Sequence, residues 1–321
     1  MEIIFLGTSS GTPTRTRNVS GIAIKMINSK SWNLVDCGEC TQHQILKTNL
    51  TLNNLQAIFI THVHGDHCYG LPGLLASTAM SGRTDPLTII APGKLKSFLE
   101  NAQKVTQTRF SYEINFISIE DISKFIEVEE FDIEVVNLSH RVSSYAFGFI
   151  EKNIKPKLNI KKLKKEGIDP GPAWGTLQNR EDVLLPGGKK LKSQDYLLEE
   201  RKPRKIIVSG DNDDPWLLSE CSKSAQVLVH EATYTYEVAE KMAKAQHSSA
   251  KLVSLFAKEL SIPNLVFTHF SPRYQSVNTT GPSIKDIENE AREFYDGNLF
   301  LANDFDVFHL NLNGKLVNVE L

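Results

Sequence analysis

The stretch FITHVHGDHCYG, residues 59–70, sets His62, His64, Asp66 and His67 within six positions. The apolar run LQAIFI leads into it and GLPGLL follows. A strand continuing through His62 and His64 points both imidazoles to one side, since alternate residues share a face. Gly65 permits a sharp turn, and Asp66 and His67 swing round to the same cavity from the first turn of a following helix. A lone histidine after a strand is usually an ordinary core or surface residue. Three imidazoles and a carboxylate at H-x-H-x-D-H spacing point instead to a metal site.

The rest of the chain supplies a frame for that loop. Short β-branched and aromatic runs recur, among them MEIIFLG, SGIAIKMI, SWNLVDCG, LTIIAPG, YEINFISI and FDIEVVNLSH. A second group follows residue 205: KIIVSGD, AQVLVHEAT, NLVFTHF, NLFLAND and FDVFHLNL. Gly, Pro, Asn and Asp bound them, as they bound strands. GLPGLLASTAM, KLKSFLENAQKV and SSAKLVSLFAKEL carry apolar residues at helical spacing. The pattern predicts two αβ halves forming one sandwich, with residues 151–205 as an insertion of different character.

Several apolar runs end on a metal-competent residue: AIFIT at His62, IEVVNLS at His140, KIIVSG at Asp211, AQVLV at His230 and NLVFT at His269. In sheets flanked by helices, ligands collect outside the carboxyl ends of strands, so these five endings are expected on one rim. The loop alone already offers the four ligands that a single structural zinc takes. Adding His140, Asp211 and His269 gives seven candidates, which two metal ions sharing a bridging carboxylate and a bridging hydroxide would use in full. Two-metal sites of this kind, with ions about 3.5–4 Å apart, serve phosphoryl displacement. Imidazole and carboxylate donors without thiolate suit zinc first and manganese second. HEATY at 230–234 is not a zincin motif, because position 234 is Tyr. His230 is left open between a supporting role and the core.

Composition narrows the class. At 321 residues and 40% hydrophobic, the chain can bury a sizeable core as one large domain or two ordinary ones. The start, MEIIFLGTSSGTP, has no basic flank and too short an apolar run for a signal peptide. No stretch approaches the ~20 apolar residues of a spanning helix. The expectation is a soluble, cytoplasmic protein with no membrane partner. Cys37, Cys40, Cys68 and Cys221 fit a reducing compartment. The C-x-x-C of Cys37 and Cys40 lacks a second pair, so free thiols are expected.

The net charge of −2 conceals an asymmetry. Residues 152–205 hold 15 Lys or Arg against 7 acids, a net of +8, while all other residues together carry −10. Such a segment is the footprint expected for a polyanion partner; its bland reading is a solvated lysine-rich face.

Taken together these motifs resemble the metallo-β-lactamase superfamily and, more closely, the ribonuclease Z family of tRNA 3′-end processing endonucleases. FLGTSSGTPTRTRNVSGIAI resembles its N-terminal glycine-rich and Arg-Asn loop, LVDCGECTQHQI its second motif, and THVHGDHCYGLPGLL its metal loop. GPAWGTL resembles the Gly-Pro motif of its substrate arm, and SGD, HEATY, HSSA and THFSPRY follow in the family's order. The chain departs from the family at Cys40, where Gly is usual, and at Asn212 and Ser249, where Thr is usual; GDNDDPW is also more acidic.

The resemblance implies an α+β fold, an αβ/βα four-layer sandwich with two mixed sheets between helix layers. It implies one domain over residues 1–321, with a substrate-binding arm inserted at 151–205. By the same resemblance His62, His64 and His140 hold one zinc, Asp66, His67 and His269 hold a second, and Asp211 bridges. Metal pulls the pKa of bound water from ~15.7 towards ~7, and that water attacks phosphorus with Asp66 orienting or deprotonating it. His247, oriented by Glu231, donates a proton to the leaving 3′ oxygen; the competing reading is that His247 merely caps the helix SSAKLVSLFAKEL. Arg17, Asn18, Ser271 and Arg273 are candidates for the scissile phosphate or acceptor end, and Gly171, Pro172 and Gly175 for arm contacts with RNA. The implied function is removal of the 3′ trailer from precursor tRNA, leaving a 3′-hydroxyl, by a homodimer in which one subunit's arm serves the other's active site. Two other classes compete. A metallohydrolase of a small ester, thioester or lactone has no use for a basic arm. A silent RNA-binding module has no use for seven ligands.

Overall fold

Long apolar runs punctuated by turn residues become strands buried on both faces, the signature of sheets covered by helices. A computed structural model describes residues 1–154, 156–198, 201–275 and 281–319. The chain divides into two compact units: Met1–Ile150 with Arg204–Leu321, and Glu151–Pro203.

The larger unit is built on two sheets. One has eight strands, in the spatial order Leu316–Val319, Val307–Leu310, Glu2–Gly7, Gly21–Lys25, Trp32–Val35, Leu55–Phe59, Leu87–Ala91 and Ile114–Ser118. Its first half is antiparallel and its second half, from Trp32–Val35 onward, is parallel. The other has seven strands, in the order Asn298–Leu301, Asn264–Thr268, Val227–Glu231, Lys205–Ser209, Ser144–Glu151, Phe131–Leu138 and Phe125–Val128. It is parallel up to Lys205–Ser209, which pairs antiparallel with Ser144–Glu151, and its last two strands, Phe131–Leu138 and Phe125–Val128, also pair antiparallel.

Three apolar layers hold these sheets. Between them lie Phe5, Ile24 and Phe59 from one face and Phe131, Phe147, Phe149 and Val229 from the other. The Phe59 ring meets Phe147 at 5.1 Å and Phe149 at 5.3 Å, in tilted and edge-on contacts that aromatic pairs favour. Leu71, Leu74, Leu75, Leu95 and Leu99, from helices Leu71–Met80 and Lys94–Thr106, cover the outer face of the first sheet. Val253, Phe256, Ile287 and Ala291, from helices Ala250–Glu259 and Ile284–Phe294, cover the outer face of the second. This is the αβ/βα sandwich with two mixed sheets that the sequence led us to expect.

The smaller unit has its own core of Leu163, Ile168, Leu177, Leu191 and Tyr196. Asn159 caps the helix Ile160–Lys165, its side chain accepting the Lys162 N–H. Pro172 starts the helix Pro172–Gln178 from the first turn, where its missing N–H costs nothing. Lys157, Lys161, Lys164, Lys165 and Lys192 are exposed. Two of the basic residues counted with this segment lie outside it and are buried. Arg204 donates to the Leu310 carbonyl, and Lys205 pairs with Glu134 at 2.5 Å.

Candidate metal centre

The strand Leu55–Phe59 stops three residues before His62, so strand alternation does not aim the first two histidines. The cause is Asp36. Its carboxylate accepts the Thr61 N–H at 2.8 Å and bonds the Thr61 hydroxyl, drawing the chain out of the ladder. His64 is extended and caps the short helix Gly65–Cys68, which carries Asp66 and His67. The loop is pressed against residues 37–39. A Cβ on Gly38 would stand 2.3 Å from the Asp66 carbonyl oxygen, and one on Gly70 only 2.0 Å from that of Gly38. Both positions therefore require glycine. Cys40 is left-handed at φ 61°, which accounts for glycine being usual there in the family it resembles.

His62 Nε2 and His140 Nε2 lie 3.1 and 3.2 Å from His64 Nδ1. Asp211 Oδ2 completes the group, 3.5 Å from His62 and 3.7 Å from His140. In a second group His67 Nε2 and His269 Nε2 are 3.2 Å apart, and Asp66 Oδ2 is 3.5 and 3.3 Å from them. Asp211 Oδ1 completes this one, at 3.5 Å from His67 and 3.4 Å from His269. Asp211 thus gives one oxygen to each group.

The donor atoms fit zinc. Ligands about 2.0–2.1 Å from a tetrahedral zinc stand roughly 3.3 Å from one another, close to every separation above. The far nitrogens settle which tautomers are present. His140 Nδ1 donates to the Gln246 carbonyl at 2.7 Å, and His67 Nδ1 to the Asp36 carboxylate at 2.7 Å. Both Nε2 lone pairs therefore face inward, as metal-binding histidines held by an outer partner require. His62 Nδ1 meets the Thr61 hydroxyl and His269 Nδ1 that of Thr233, each at 3.0 Å. Burial, together with the neighbouring imidazoles, pushes His62 well down, toward the neutral form that binds metal. Burial disfavours charge at His67, but the carboxylates of Asp66, Asp211 and Asp36 outweigh it and raise its pKa, an acidic surrounding that suits a metal cation on Nε2 in place of a proton.

His247 stands beside this centre, its Nδ1 3.0 and 3.1 Å from the two Glu231 oxygens. Glu231 is buried and also accepts from the Asn212 N–H and the Thr233 hydroxyl. Burial opposes charge on His247, but Glu231 and then Asp211 more than offset it and raise the pKa to about 9. With Nδ1 engaged, Nε2 is the nitrogen left for the cleft that His247 lines. The helix Ala250–Glu259 is capped by Ser249, whose side chain accepts the Leu252 N–H, so His247 is not its cap.

Not every expected residue joins. His230 is fully buried, with Nδ1 on the Glu231 carbonyl and Nε2 beside Asn212, and is no part of the rim. Arg17 is enclosed by protein groups. It is 5% exposed and donates to Thr8, the Ala302 carbonyl and Asn303, tying its loop to residues 302 and 303. Asn18 holds the Glu39 carbonyl and Asp304, again a loop tie. Ser271 is buried, its hydroxyl accepting from the Arg273 N–H. Arg273 is exposed, its guanidinium 5.2 Å from the Tyr234 ring centre, and Tyr234 lies against His247. Gly171 and Gly175 are exposed, as is Pro172. Asn212, where Thr is usual, is buried and braces its own loop through Ser139 and Asp214. Sequence reasoning missed Asp36, Thr61 and Thr233, which hold the ligands, and Gly11, whose N–H donates to Asp66 at 2.7 Å. Asp36 was findable, because it too ends an apolar run, SWNLVD. It also missed Arg141, an exposed residue next to a ligand. Arg141 lines a cleft of about 420 Å³ with His64, Asp66, Asp211 and His247.

A family model described as anti-Pycsar protein Apyc1 matches residues 1–155, a span that includes the metal loop and His140 but ends before Asp211. Full-length similarity lies elsewhere. Ribonuclease Z of Marinobacter nauticus is 48% identical over 321 residues, covering 100% of this chain and 99% of the relative. Ribonuclease Z of Bacillus cereus is 38% identical over 310 residues, covering 96% of this chain and 99% of the relative. Among solved structures, the short form of human tRNase Z superposes with a TM-score of 0.66 at 24% identity, covering 97% of this chain and all of that one. The metallo-β-lactamase fold protein YhfI of Bacillus subtilis gives 0.64 at 16% identity, covering 95% of this chain and 98% of that one.

Proposed function

The chain belongs to the ribonuclease Z family, and on that premise we propose that it is a zinc-dependent endoribonuclease that removes the 3′ trailer from precursor tRNA and leaves a 3′-hydroxyl. The observation that carries this reading is Asp211, whose two oxygens serve two separate ligand groups beside a Glu231-held His247.

His62, His64, His140 and Asp211 Oδ2 would hold one zinc, and Asp66, His67 and His269 the other, with Asp211 Oδ1 beside them. When bound, the ions supply Lewis acidity toward the phosphate and a water acidic enough to ionise near neutral pH. Asp66, steadied by the Gly11 N–H, accepts a hydrogen bond from the attacking water and orients it. Glu231 keeps the His247 ring turned and charged, and His247 delivers its Nε2 proton to the leaving 3′ oxygen. That proton matters because an alkoxide is a poor leaving group. Arg273 and Arg141 supply positive charge for phosphate oxygens beside the cleft.

Residues 151–205 act in this reading as the arm that holds tRNA away from the cut. The exposed lysines of the smaller unit support it, since phosphate contacts give affinity without needing base sequence. A homodimer belongs to the same proposal, supported by Leu46, Met80 and Val105, large apolar side chains left 80–89% exposed on the larger unit. The proposed compartment is the cytoplasm, in keeping with four free cysteines. Among the described residues no helix is long and apolar enough to cross a membrane.

The deciding experiment incubates the purified protein with a 3′-extended precursor tRNA, with and without chelator, and maps both product ends. A single metal-dependent cut that leaves a 3′-hydroxyl on the tRNA is expected. No cut, or one that chelation leaves unchanged, overturns the proposal.

A further inference from the structure

Tyr69 is an aromatic side chain that the chemistry above does not use. It directly follows the short helix carrying Asp66 and His67, and its N–H bonds back to the Gly65 carbonyl at 2.9 Å. Its ring lies against the metal loop, for a Cβ on Gly65 would come within 2.2–2.6 Å of three ring atoms. The Phe98 ring, tilted by 33° at 6.4 Å, stands beside it. Yet Tyr69 is 66% exposed and lines the same cleft as Asp66, Asp211 and His247. One part of the ring is thus fixed on backbone, and much of the rest is open to water at the mouth of a polar catalytic cleft.

An aromatic ring so placed is poorly used by the protein alone. The ring already rests against the Gly65 backbone, and its apolar surface still faces water. Single-stranded RNA is gripped by stacking unpaired bases on such rings, and every base has a face to offer. A phosphodiester seated at the metal centre carries a nucleotide on each side. We propose that Tyr69 is a positioning residue, on which the base of a nucleotide flanking the scissile phosphate stacks. This rests on the endoribonuclease reading above. Stacking there fixes the strand's path over the loop and so holds the phosphorus against Asp66 and Asp211.

The test is a cycle of protein and substrate changes on a 3′-extended precursor tRNA. Tyr69→Phe, Tyr69→Trp, Tyr69→Leu and Tyr69→Ala are compared on the natural substrate. They are also compared on substrates made abasic at the last tRNA nucleotide or the first trailer nucleotide. Stacking predicts that Phe and Trp hold kcat/KM near wild type, while Leu and Ala each lose roughly 5- to 150-fold. It also predicts that one abasic substrate costs wild type a similar factor and that Ala adds nothing further on that substrate. Zinc content and melting temperature, measured on each variant, identify a disturbed metal loop. If Leu restores activity as well as Phe does, or if the protein and substrate losses multiply at both abasic positions, the ring only fills space and the proposal fails. If wild type does not cut the natural substrate at all, the endoribonuclease reading fails instead.

Discussion

His247 and Asp36 divide the chemistry at the scale of single residues. If His247 supplies the proton for an alkoxide, its removal must hurt in proportion to the leaving group's need. His247→Ala is expected to lose about 10²–10⁴-fold in kcat on precursor tRNA and far less on bis(p-nitrophenyl) phosphate, whose phenolate leaves without help. Equal losses on both substrates would make His247 structural. Asp36 touches no substrate, but it fixes the His67 tautomer through a 2.7 Å contact. Asp36→Asn keeps the shape and weakens that hold, so zinc affinity should fall about 10- to 100-fold, read by competition with a chromogenic chelator. Unchanged affinity would show that Thr61 and the loop backbone alone set the ring.

At the scale of elements, legibility followed chemistry. Each polar residue ending an apolar run stood out because a buried strand has no other reason to finish that way. His62, His140, Asp211 and His269 were readable on that ground, and they do converge. The same rule brought in His230, because a sequence does not say that a ring will instead be satisfied by Asn212 and a neighbouring carbonyl. The enclosure of Arg17 was hidden for a related reason. Its motif gave no sign that Thr8 and residues 302–303, nearly three hundred positions away, would enclose it. Pairing across the second sheet was equally hidden. Lys205 on its strand reaches Glu134 on Phe131–Leu138 and the Cys221 carbonyl, all within a buried pocket. Burial would raise the Glu134 pKa, yet Lys205 and then Lys124 hold it below the usual 4.5. A carboxylate with a depressed folded pKa stabilises the fold above its unfolded pKa, and that contribution disappears as pH falls through the folded value. Glu134→Gln should therefore cost about 3–5 kcal/mol at pH 7, because Lys205 is left buried and unpaired. In urea unfolding, the gap between wild type and variant should stay full above pH 4.5 and narrow below it. A gap independent of pH would mean that the ion pair is not what the site contributes.

For the whole molecule, charge separates the two units. The larger is acidic, with a net charge of −7, and carries the chemistry, while residues 151–203 carry a net +5. The insertion is also topologically separable, since Ile150 and Lys205 are register partners on neighbouring antiparallel strands. A short turn can rejoin them. Replacing residues 152–200 with such a turn should abolish precursor-tRNA cleavage while sparing hydrolysis of bis(p-nitrophenyl) phosphate. Full tRNA cleavage by the shortened protein would leave the basic segment without its proposed role. All of this rests on one carboxylate serving two cations. The most direct measurement is an anomalous difference map of the zinc-loaded protein, recorded at the zinc edge. Two peaks are expected, one among His62, His64 and His140 and one among Asp66, His67 and His269, with an Asp211 oxygen on each. A single peak in the fully loaded protein, or an Asp211 that contacts neither ion, would contradict the account.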